Sequence, residues 1–170
     1  MGFLMGKRFY LSGPIEFAKG PNWRPDVIKV LTENFGIEVF DPHADEKEKS
    51  LPEAMEAKAS GDYDTVAKIA RKFVKKDLGS LDRCDALIAN LERNVMTTGS
   101  CHEIINSINS KKPTILLCTA GKQHIPLWYW GIMPHQMLFG SWDAVFKYLS
   151  EVNLGKHQND ERWSYVYGIL

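Results

Sequence analysis

Two carboxylates in the middle of the chain have the flanking residues of a catalytic pair. Glu103 lies early in a predicted helix that starts at Ser100, directly after the turn residue Gly99. The positive end of a helix dipole favours an ionised carboxylate, which can attack an electrophilic carbon in a cleft. Asp77 ends an earlier amphipathic helix, where the opposite end of the dipole raises the pKa of a carboxyl group and suits it to donate a proton.

Each of these residues also has a purely structural explanation. Ser100 and Glu103 fit the S-x-x-E pattern of a capping box, in which the two side chains only close the start of a helix. Asp77 fits a solvated residue near a helix end, since surface carboxylates are common. Asp85, directly before a predicted strand, fits a structural turn. The residue pattern alone leaves both interpretations of Glu103 and Asp77 open.

The elements that must position these residues alternate between strands and helices. Strands are predicted at residues 8–11, 37–40, 86–89 and 114–117, and helices at 25–35, 51–59, 65–81, from 100 onwards and at 142–149. Asp64 and Ser141 are the predicted N-caps of the third and the last helix. This alternation predicts an α/β fold with a doubly wound parallel sheet of about four or five strands in a single domain. Ligands of such sheets bind beyond the carboxyl ends of the strands.

Composition and charge argue against several other classes of protein. The chain has 170 residues, and its 21 basic residues balance its 21 acidic residues. A neutral chain without a basic block is unsuited to a nucleic-acid polymer or an anionic membrane, and its longest apolar runs are too short to span a bilayer. The 3 cysteines form no C-x-x-C pair and the 5 histidines no H-x-x-x-H pair. We therefore expect reduced thiols, no metal site and a cytoplasmic protein.

Well-known nucleotide and hydrolase motifs are missing from the sequence. The first predicted strand is not followed by G-x-G-x-x-G, and G-x-x-x-x-G-K-[ST] does not occur. Dinucleotide redox chemistry and P-loop chemistry are therefore not expected. The G-x-S-x-G elbow of many hydrolases is also missing.

Three short segments carry a family resemblance. They are Phe9-Tyr10-Leu11-Ser12-Gly13-Pro14, Asp77 with Asp85-Ala86-Leu87-Ile88-Ala89, and Gly99-Ser100-Cys101-His102-Glu103-Ile104. With these segments the chain resembles the nucleoside 2-deoxyribosyltransferase family, including its relatives that hydrolyse nucleoside 5′-monophosphates. The resemblance implies a flavodoxin-like domain that cleaves the N-glycosidic bond of a nucleoside or its 5′-monophosphate. It also implies that Glu103 is the nucleophile at the sugar C1′ and that Asp77 assists departure of the base.

The chemistry of the glycosidic bond agrees with these roles. Its cleavage passes through an oxocarbenium-like state, which a close carboxylate stabilises and then traps covalently. A second acid protonates the departing base. Another base or water then attacks from the vacated side, which gives transfer or hydrolysis with retention. This chemistry requires no metal and no organic cofactor.

Further candidates for substrate binding follow the predicted strands. Tyr10, Ser12 and Gly13 are expected at the floor of the cleft near the sugar. The other candidates are Phe17 for stacking on a base, Arg24 for a 5′-phosphate, Asp41 and His43 for base edges, Asn90 at the end of the third strand, and Gly99 and Ser100 for a phosphate or a sugar hydroxyl. Each also fits a structural role, such as core packing for Tyr10 or a surface position for Arg24.

The chain departs from the family pattern at two positions. Many transferases have an aspartate six residues before the nucleophile, where this chain has Thr97. A family segment that supplies an asparagine to the neighbouring subunit's site resembles residues 125–131, but Pro126 occupies that position here. Both differences favour hydrolysis or an unusual nucleotide substrate over efficient transfer to a second base.

Two other functions fit parts of the sequence. A phosphoribohydrolase of the lysine-decarboxylase-like type also has a glycine-rich turn before a glutamate, although its denser glycine run is missing here. A non-catalytic nucleotide-binding or TIR-like module would use the same sheet, and its nucleotide binding would survive loss of Glu103. Release of a free base distinguishes the module from both enzymes.

The ends of the chain and its aromatic residues predict domain limits and self-association. We expect a leader at residues 1–7, a nucleoside 2-deoxyribosyltransferase-like domain at 8–150, and a tail at 151–170 that packs on the domain or on a partner subunit. Aromatic residues concentrate at 127–133 and in the tail. Since a monomer rarely exposes such patches, they predict a homodimer or a larger homo-oligomer.

Overall fold

A five-stranded parallel sheet forms the centre of the protein. The structure, a computed structural model, describes residues 2–15, 18, 20–44, 48–95 and 97–168. The strands are β1 (Arg8–Ser12), β2 (Glu38–Phe40), β3 (Ala86–Asn90), β4 (Thr114–Leu117) and β5 (Leu138–Phe139). All neighbouring pairs are parallel, in the order β2-β1-β3-β4-β5. The predicted flavodoxin-like α/β fold is therefore confirmed, and the fifth strand is a two-residue edge strand.

Helices connect the strands and cover both faces of the sheet. They are α1 (Arg24–Phe35), α2 (Glu48–Ser60), α3 (Tyr63–Asp82), α4 (Thr98–Asn109), α5 (Leu127–Ile132), α6 (Trp142–Asn153) and α7 (Ser164–Tyr167). The N-cap of α6 is Ser141 as predicted, because its hydroxyl accepts from the Ala144 amide. The aromatic run from residue 127 had no predicted helix, but its Pro126 suits the start of a short one.

The central strand β3 explains why the sheet is covered on both faces. Every residue of β3 is buried, and its sequence is almost wholly apolar. Tyr10 and Ser12 of β1 pair with Leu87 and Ala89 of β3 in register. Residues two apart in a strand share a face of the sheet, so Tyr10 and Ser12 point to the same side. The register therefore presents two hydroxyl groups side by side near the end of β1.

The helix starts predicted at Asp64 and Ser100 are wrong. The N-cap of α3 is Asp62, not Asp64, because the Thr65 amide donates to the Asp62 carboxylate at 3.1 Å. Both aspartates had the right residue type, and the turn at Gly61 favours the earlier one. The N-cap of α4 is Thr97, so Ser100 lies inside the helix rather than at its start.

The turn from α3 to β3 is held by Lys112. Its ammonium group donates to the carbonyl oxygens of Leu81, Asp82 and Cys84 at 2.7, 2.7 and 2.8 Å. The last carbonyls of a helix have no partner inside the helix, so the lysine satisfies groups that would otherwise depend on water. Lys112 thereby fixes the end of the helix that carries Asp77.

Residues outside the predicted domain limits contact helix α6. Leu4 is buried, and its amide donates to Asn153 Oδ1 at 2.9 Å. Trp163 is fully buried, and its ring nitrogen donates to the Tyr148 hydroxyl at 2.8 Å. The predicted boundaries of leader, domain and tail stay predictions.

Two further features bear on partners and membranes. Leu127 and Trp128 are 86% and 73% exposed, whereas Tyr129 between Trp128 and Trp130 is buried. The homo-oligomer expected from these aromatic residues stays a prediction. In the part of the chain that the structure describes, no helix has the length and apolar character needed to cross a membrane.

The Lys112 contacts predict a measurable loss of stability. The Lys112→Met variant keeps the alkyl stem but removes three charge-assisted donors, so its free energy of unfolding in urea should fall by about 2 kcal/mol. Lys111→Met makes the same change at the exposed neighbouring position and should have little effect. Equal losses in the two variants would contradict a specific role for Lys112 in this turn.

Candidate active site

A cavity of about 410 Å³ opens beyond the carboxyl ends of β1 and β2. Its walls come from the loops after these strands, from one face each of α2 and α3, and from the start of α4. Both Asp77 and Glu103 line it. The fold therefore brings the two carboxylates predicted from the sequence to one concave site.

The carboxylate of Glu103 is buried and held by two hydroxyl groups. The Tyr10 hydroxyl donates to Oε1 at 2.8 Å, and the Ser12 hydroxyl donates to Oε2 at 2.5 Å. Only 6% of Glu103 is exposed, against none of Tyr10 and 1% of Ser12. Both oxygens of the carboxylate are therefore oriented by the end of β1, which favours its ionised form.

Helix α4 aims Glu103 at β1 through its buried face. Ser100, Glu103, Ile104 and Ser107 follow one another at helical spacing, and all four are buried. The capping-box interpretation is wrong, because Ser100 is not the N-cap and the Glu103 oxygens accept from side chains of β1. The Ser107 hydroxyl shares a buried hydrogen bond of 2.8 Å with Thr114, which anchors the same face to β4.

Tyr10 serves both the core and the carboxylate. Burial raises the pKa of its phenol far above the usual value, and the negative charges of Glu103 and Asp77 raise it further. The ring also stacks on Phe40 with centroids 5.4 Å apart. Tyr10 therefore keeps its proton and remains a donor to Glu103 throughout the neutral range.

Asp77 reaches the cavity from inside α3 rather than from its end. The helix continues to Asp82, so Asp77 lies more than one turn before the last residue. The dipole effect falls off within the last turn, and the argument from the helix end therefore does not apply. Asp77 is nevertheless only 6% exposed. Burial in general disfavours the charged form of a carboxyl group.

The start of α4 forms one rim of the cavity. Thr97, Thr98, Gly99 and Ser100 all line it, and the first turn of the helix carries no acidic residue. The Thr97 side chain makes no capping hydrogen bond, which leaves the first amides of the helix without that partner. Ser100 is 6% exposed. Its hydroxyl makes no hydrogen bond to another residue that the structure describes.

Gly13 allows β1 and β3 to end close together. A Cβ atom at this position would lie 2.9 Å from the Asn90 carbonyl oxygen and 3.1 Å from Cζ2 of Trp23. Contacts this short require the neighbouring backbone to shift. Gly13 also lines the cavity, so a side chain there would alter the floor of the site.

Arg24 and Asp41 form a buried pair beneath the loop after β1. Arg24 Nε lies 3.0 Å from Asp41 Oδ1 without hydrogen-bond geometry, and Nη2 donates to the Gly13 carbonyl at 3.1 Å. Burial lowers the pKa of the guanidinium, while the Asp41 charge opposes this shift. Neither side chain lines the cavity. Their roles toward phosphate and base therefore stay predictions, and their visible contacts support the loop.

The remaining candidates lie beside the cavity or outside the described residues. The His43 amide donates to Asp41 Oδ1 at 2.9 Å, which makes an Asx turn after β2. Asn90 is buried at the end of β3, and its side-chain oxygen has no donor among the residues that the structure describes. Neither His43 nor Asn90 lines the cavity. Phe17 lies outside the described residues.

Sequence reasoning missed the apolar wall of the site. On α3 this wall comprises Val66, Ala70, Phe73, Val74 and Leu78, and on α2 it comprises Leu51, Ala54 and Met55. The sequence showed that this helix is amphipathic, but an apolar helix face fits packing in the core as well as the lining of a cavity. In the structure Ile69 and Leu81 of that pattern are buried in the core, while Val74 stays 52% exposed. The signal available in the sequence was the width of the apolar face of α3, which is larger than packing against the core alone requires.

No group of three or more potential metal ligands occurs within the described ranges. The cavity itself offers carboxylates, hydroxyls, helix amides and two basic side chains at Lys58 and His102. Such a set can hold an ionised carboxylate beside a proton donor, and it can bind a polar sugar next to an apolar group.

Comparison with known proteins gives one family. The family model for nucleoside 2-deoxyribosyltransferase matches residues 9–160, which is most of the chain. The match covers β2 to β5, all of β1 except Arg8, both carboxylates and the apolar wall. A search of curated proteins gives no match.

The raised pKa of Tyr10 predicts a specific response to alkali. Above about pH 10 the unfolded chain releases this proton while the folded protein keeps it, so the free energy of unfolding falls as pH rises. In Tyr10→Phe that fall should be less steep by about 1.4 kcal/mol per pH unit. Urea denaturation at several pH values above 10 measures the slope.

Tyr63→Phe is the matched control, because Tyr63 is 72% exposed. The slope for Tyr63→Phe should stay close to that of the wild type and remain steeper than the slope for Tyr10→Phe. A Tyr10→Phe slope equal to that of the wild type would show that the phenol already ionises in the folded protein.

Proposed function

The chain belongs to the nucleoside 2-deoxyribosyltransferase family, and we propose that it hydrolyses the N-glycosidic bond of a nucleoside 5′-monophosphate through Glu103. Family membership establishes an enzyme that cleaves or transfers at the N-glycosidic bond of a nucleoside substrate. The observation that carries the finer proposal is the buried Glu103 carboxylate, held by Tyr10 and Ser12 in the same cavity as Asp77.

In the first proposed step Glu103 attacks C1′ of the sugar. The C1′–N bond breaks as the ester between C1′ and Glu103 forms, and the base leaves with a proton from Asp77. A carboxylate close to C1′ stabilises a transition state with oxocarbenium character. The two hydroxyl donors keep Glu103 oriented for attack on one carbon, which lowers the entropic part of the barrier.

In the second proposed step a water molecule releases the sugar. Water attacks C1′ from the side that the base has left, Asp77 accepts its proton, and the bond to Glu103 breaks. Two inversions give retention at C1′, with a free sugar phosphate as the product. A second base in place of water would give transfer, and Thr97 and Pro126 at family positions for aspartate and asparagine favour water.

The start of α4 supports a phosphate on the substrate. The first amides of a helix have no partner inside the helix, so together with the positive dipole end they attract an anion, and this rim carries no acidic residue. The buried Ser100 hydroxyl adds a donor on the same rim. An aspartate at position 97 would repel a phosphate there, whereas Thr97 does not.

The catalytic proposal is tested by chromatography of the free base. Glu103→Gln should lower kcat by at least about a thousandfold, and Asp77→Asn by a factor of about 100 to 10,000 for ordinary bases. The kcat of Asp77→Asn should fall much less with a base that leaves as a stable anion, because such a leaving group needs no proton. Substrates are nucleoside 5′-monophosphates and nucleosides, with and without an acceptor base.

Asp82→Asn and Glu33→Gln are the matched controls for these substitutions. Both residues are exposed, and Asp82 ends the same helix as Asp77. Release of base that survives Glu103→Gln would contradict the covalent mechanism. Nucleotide binding that survives it, with no release from any substrate by the wild type, would favour the non-catalytic module.

The phosphate proposal is tested at position 97. Thr97→Asp should lower kcat/KM for a 5′-monophosphate by about tenfold or more, since two like charges would share the rim. Asparagine has nearly the same size as aspartate but no charge, so Thr97→Asn should lower this kcat/KM far less. The parent nucleoside, which lacks the phosphate, should respond similarly to both variants. Equal losses on the monophosphate would contradict a phosphate at the start of α4.

A further inference from the structure

The largest unexplained feature of the cavity is the apolar face that α2 and α3 turn toward it. In the proposed function the sugar lies at Glu103 and the phosphate at the start of α4. The α2–α3 side, in contrast, offers Val66, Phe73 and Val74 from α3 and Met55 from α2. Met55 and Val74 are 44% and 52% exposed. Exposed apolar side chains that line a concave site indicate a ligand surface.

Asp77 fixes which part of the substrate meets this face. It lies on the same stripe of α3 as Phe73 and Val74, one turn further along the helix. If Asp77 gives its proton to the departing base, the base lies against α3 and its far edge points along the stripe. The apolar wall therefore continues the site on the side of the base that faces away from the sugar.

The wall is longer and less polar than an unmodified base can use. Val66 precedes Asp77 by 11 residues, which is about 16 Å along the helix axis. A purine or pyrimidine ring system is far shorter than this. The edges of such a base need hydrogen-bond partners, and burying them without partners is costly. Among the described lining residues of α2 and α3, Lys58 and Asp77 are the polar side chains.

We infer that the enzyme takes nucleotides whose base carries an apolar alkyl or aryl substituent, which lies between α2 and α3. This inference names the substrate class of the proposed N-glycosidase site and rests on that proposed function. The substituent covers the exposed parts of Met55 and Val74, while the sugar stays at Glu103. Each buried methylene contributes about fourfold in affinity.

The test compares pairs of nucleotides that differ only in the substituent. The pairs are adenosine 5′-monophosphate with its N6-butyl derivative, and uridine 5′-monophosphate with its 5-butyl derivative, each also as the 2′-deoxy form. Calorimetry on Glu103→Gln measures binding without turnover, and KM and kcat/KM of the wild type give the same comparison if that variant does not fold. We expect at least about tenfold tighter binding for the butyl member of at least one pair.

A variant of the wall ties the effect to α3. Val74→Asn puts a polar side chain of similar size on the wall and should reduce the tenfold ratio to about twofold or less. Lys75→Asn introduces the same side chain at an exposed position of α3 outside the cavity, so it should keep the ratio. A ratio that falls equally in both variants would overturn the assignment of the substituent to this wall.

The possible results separate this inference from the proposed reaction. Base release that depends on Glu103 but is insensitive to the substituent in every pair would overturn the inference and leave the proposed function intact. A strong preference in binding without base release from any pair would support the apolar subsite and contradict the proposed reaction. Weaker binding of all butyl derivatives would show that the wall is filled by something other than the base.

Discussion

A charge buried in a protein has to be matched by hydrogen bonds, and the site depends on how this chain meets that requirement at Glu103. The carboxylate sits at 6% exposure, and the Tyr10 and Ser12 hydroxyls donate to its two oxygens. Both donors come from one face of β1, two residues apart. The strand must therefore end where it does, and α4 must begin early enough to bring Glu103 over it. The same contacts join the sheet, the helix and the candidate nucleophile.

Polar and apolar side chains line different parts of the cavity. The cavity is lined at the start of α4 by Thr97, Thr98, Ser100 and Glu103, where a sugar phosphate would need polar groups. Apolar side chains lie on α2 and α3, away from the sheet. Asp77 stands where the two parts meet, which suits a group that handles a proton between sugar and base. Separate polar and apolar linings would suit an amphipathic substrate.

Much of this could be predicted from the sequence because its patterns are local. The alternation of strands and helices predicted a parallel sheet with a site beyond the carboxyl ends of its strands, and three short segments, one of which contains Glu103, predicted the family. What failed depends on tertiary contact. The S-x-x-E spacing fits a capping box equally well, and only the packing of α4 on β1 shows which partners Glu103 takes. The apolar spacing of α3 does not distinguish a face that packs in the core from one that lines a cavity.

The proposed mechanism requires a covalent bond between Glu103 and the sugar. A substrate with fluorine at C2′ destabilises the oxocarbenium-like state and should slow release of the sugar more than its capture when the base leaves readily. Mass spectrometry of the intact protein, followed by peptide mapping, then measures the adduct. We predict an added mass equal to the fluorinated sugar phosphate less one water, carried by the peptide that contains Glu103 and absent in Glu103→Gln. Base release with no adduct, or with an adduct on another residue, would contradict nucleophilic attack by Glu103.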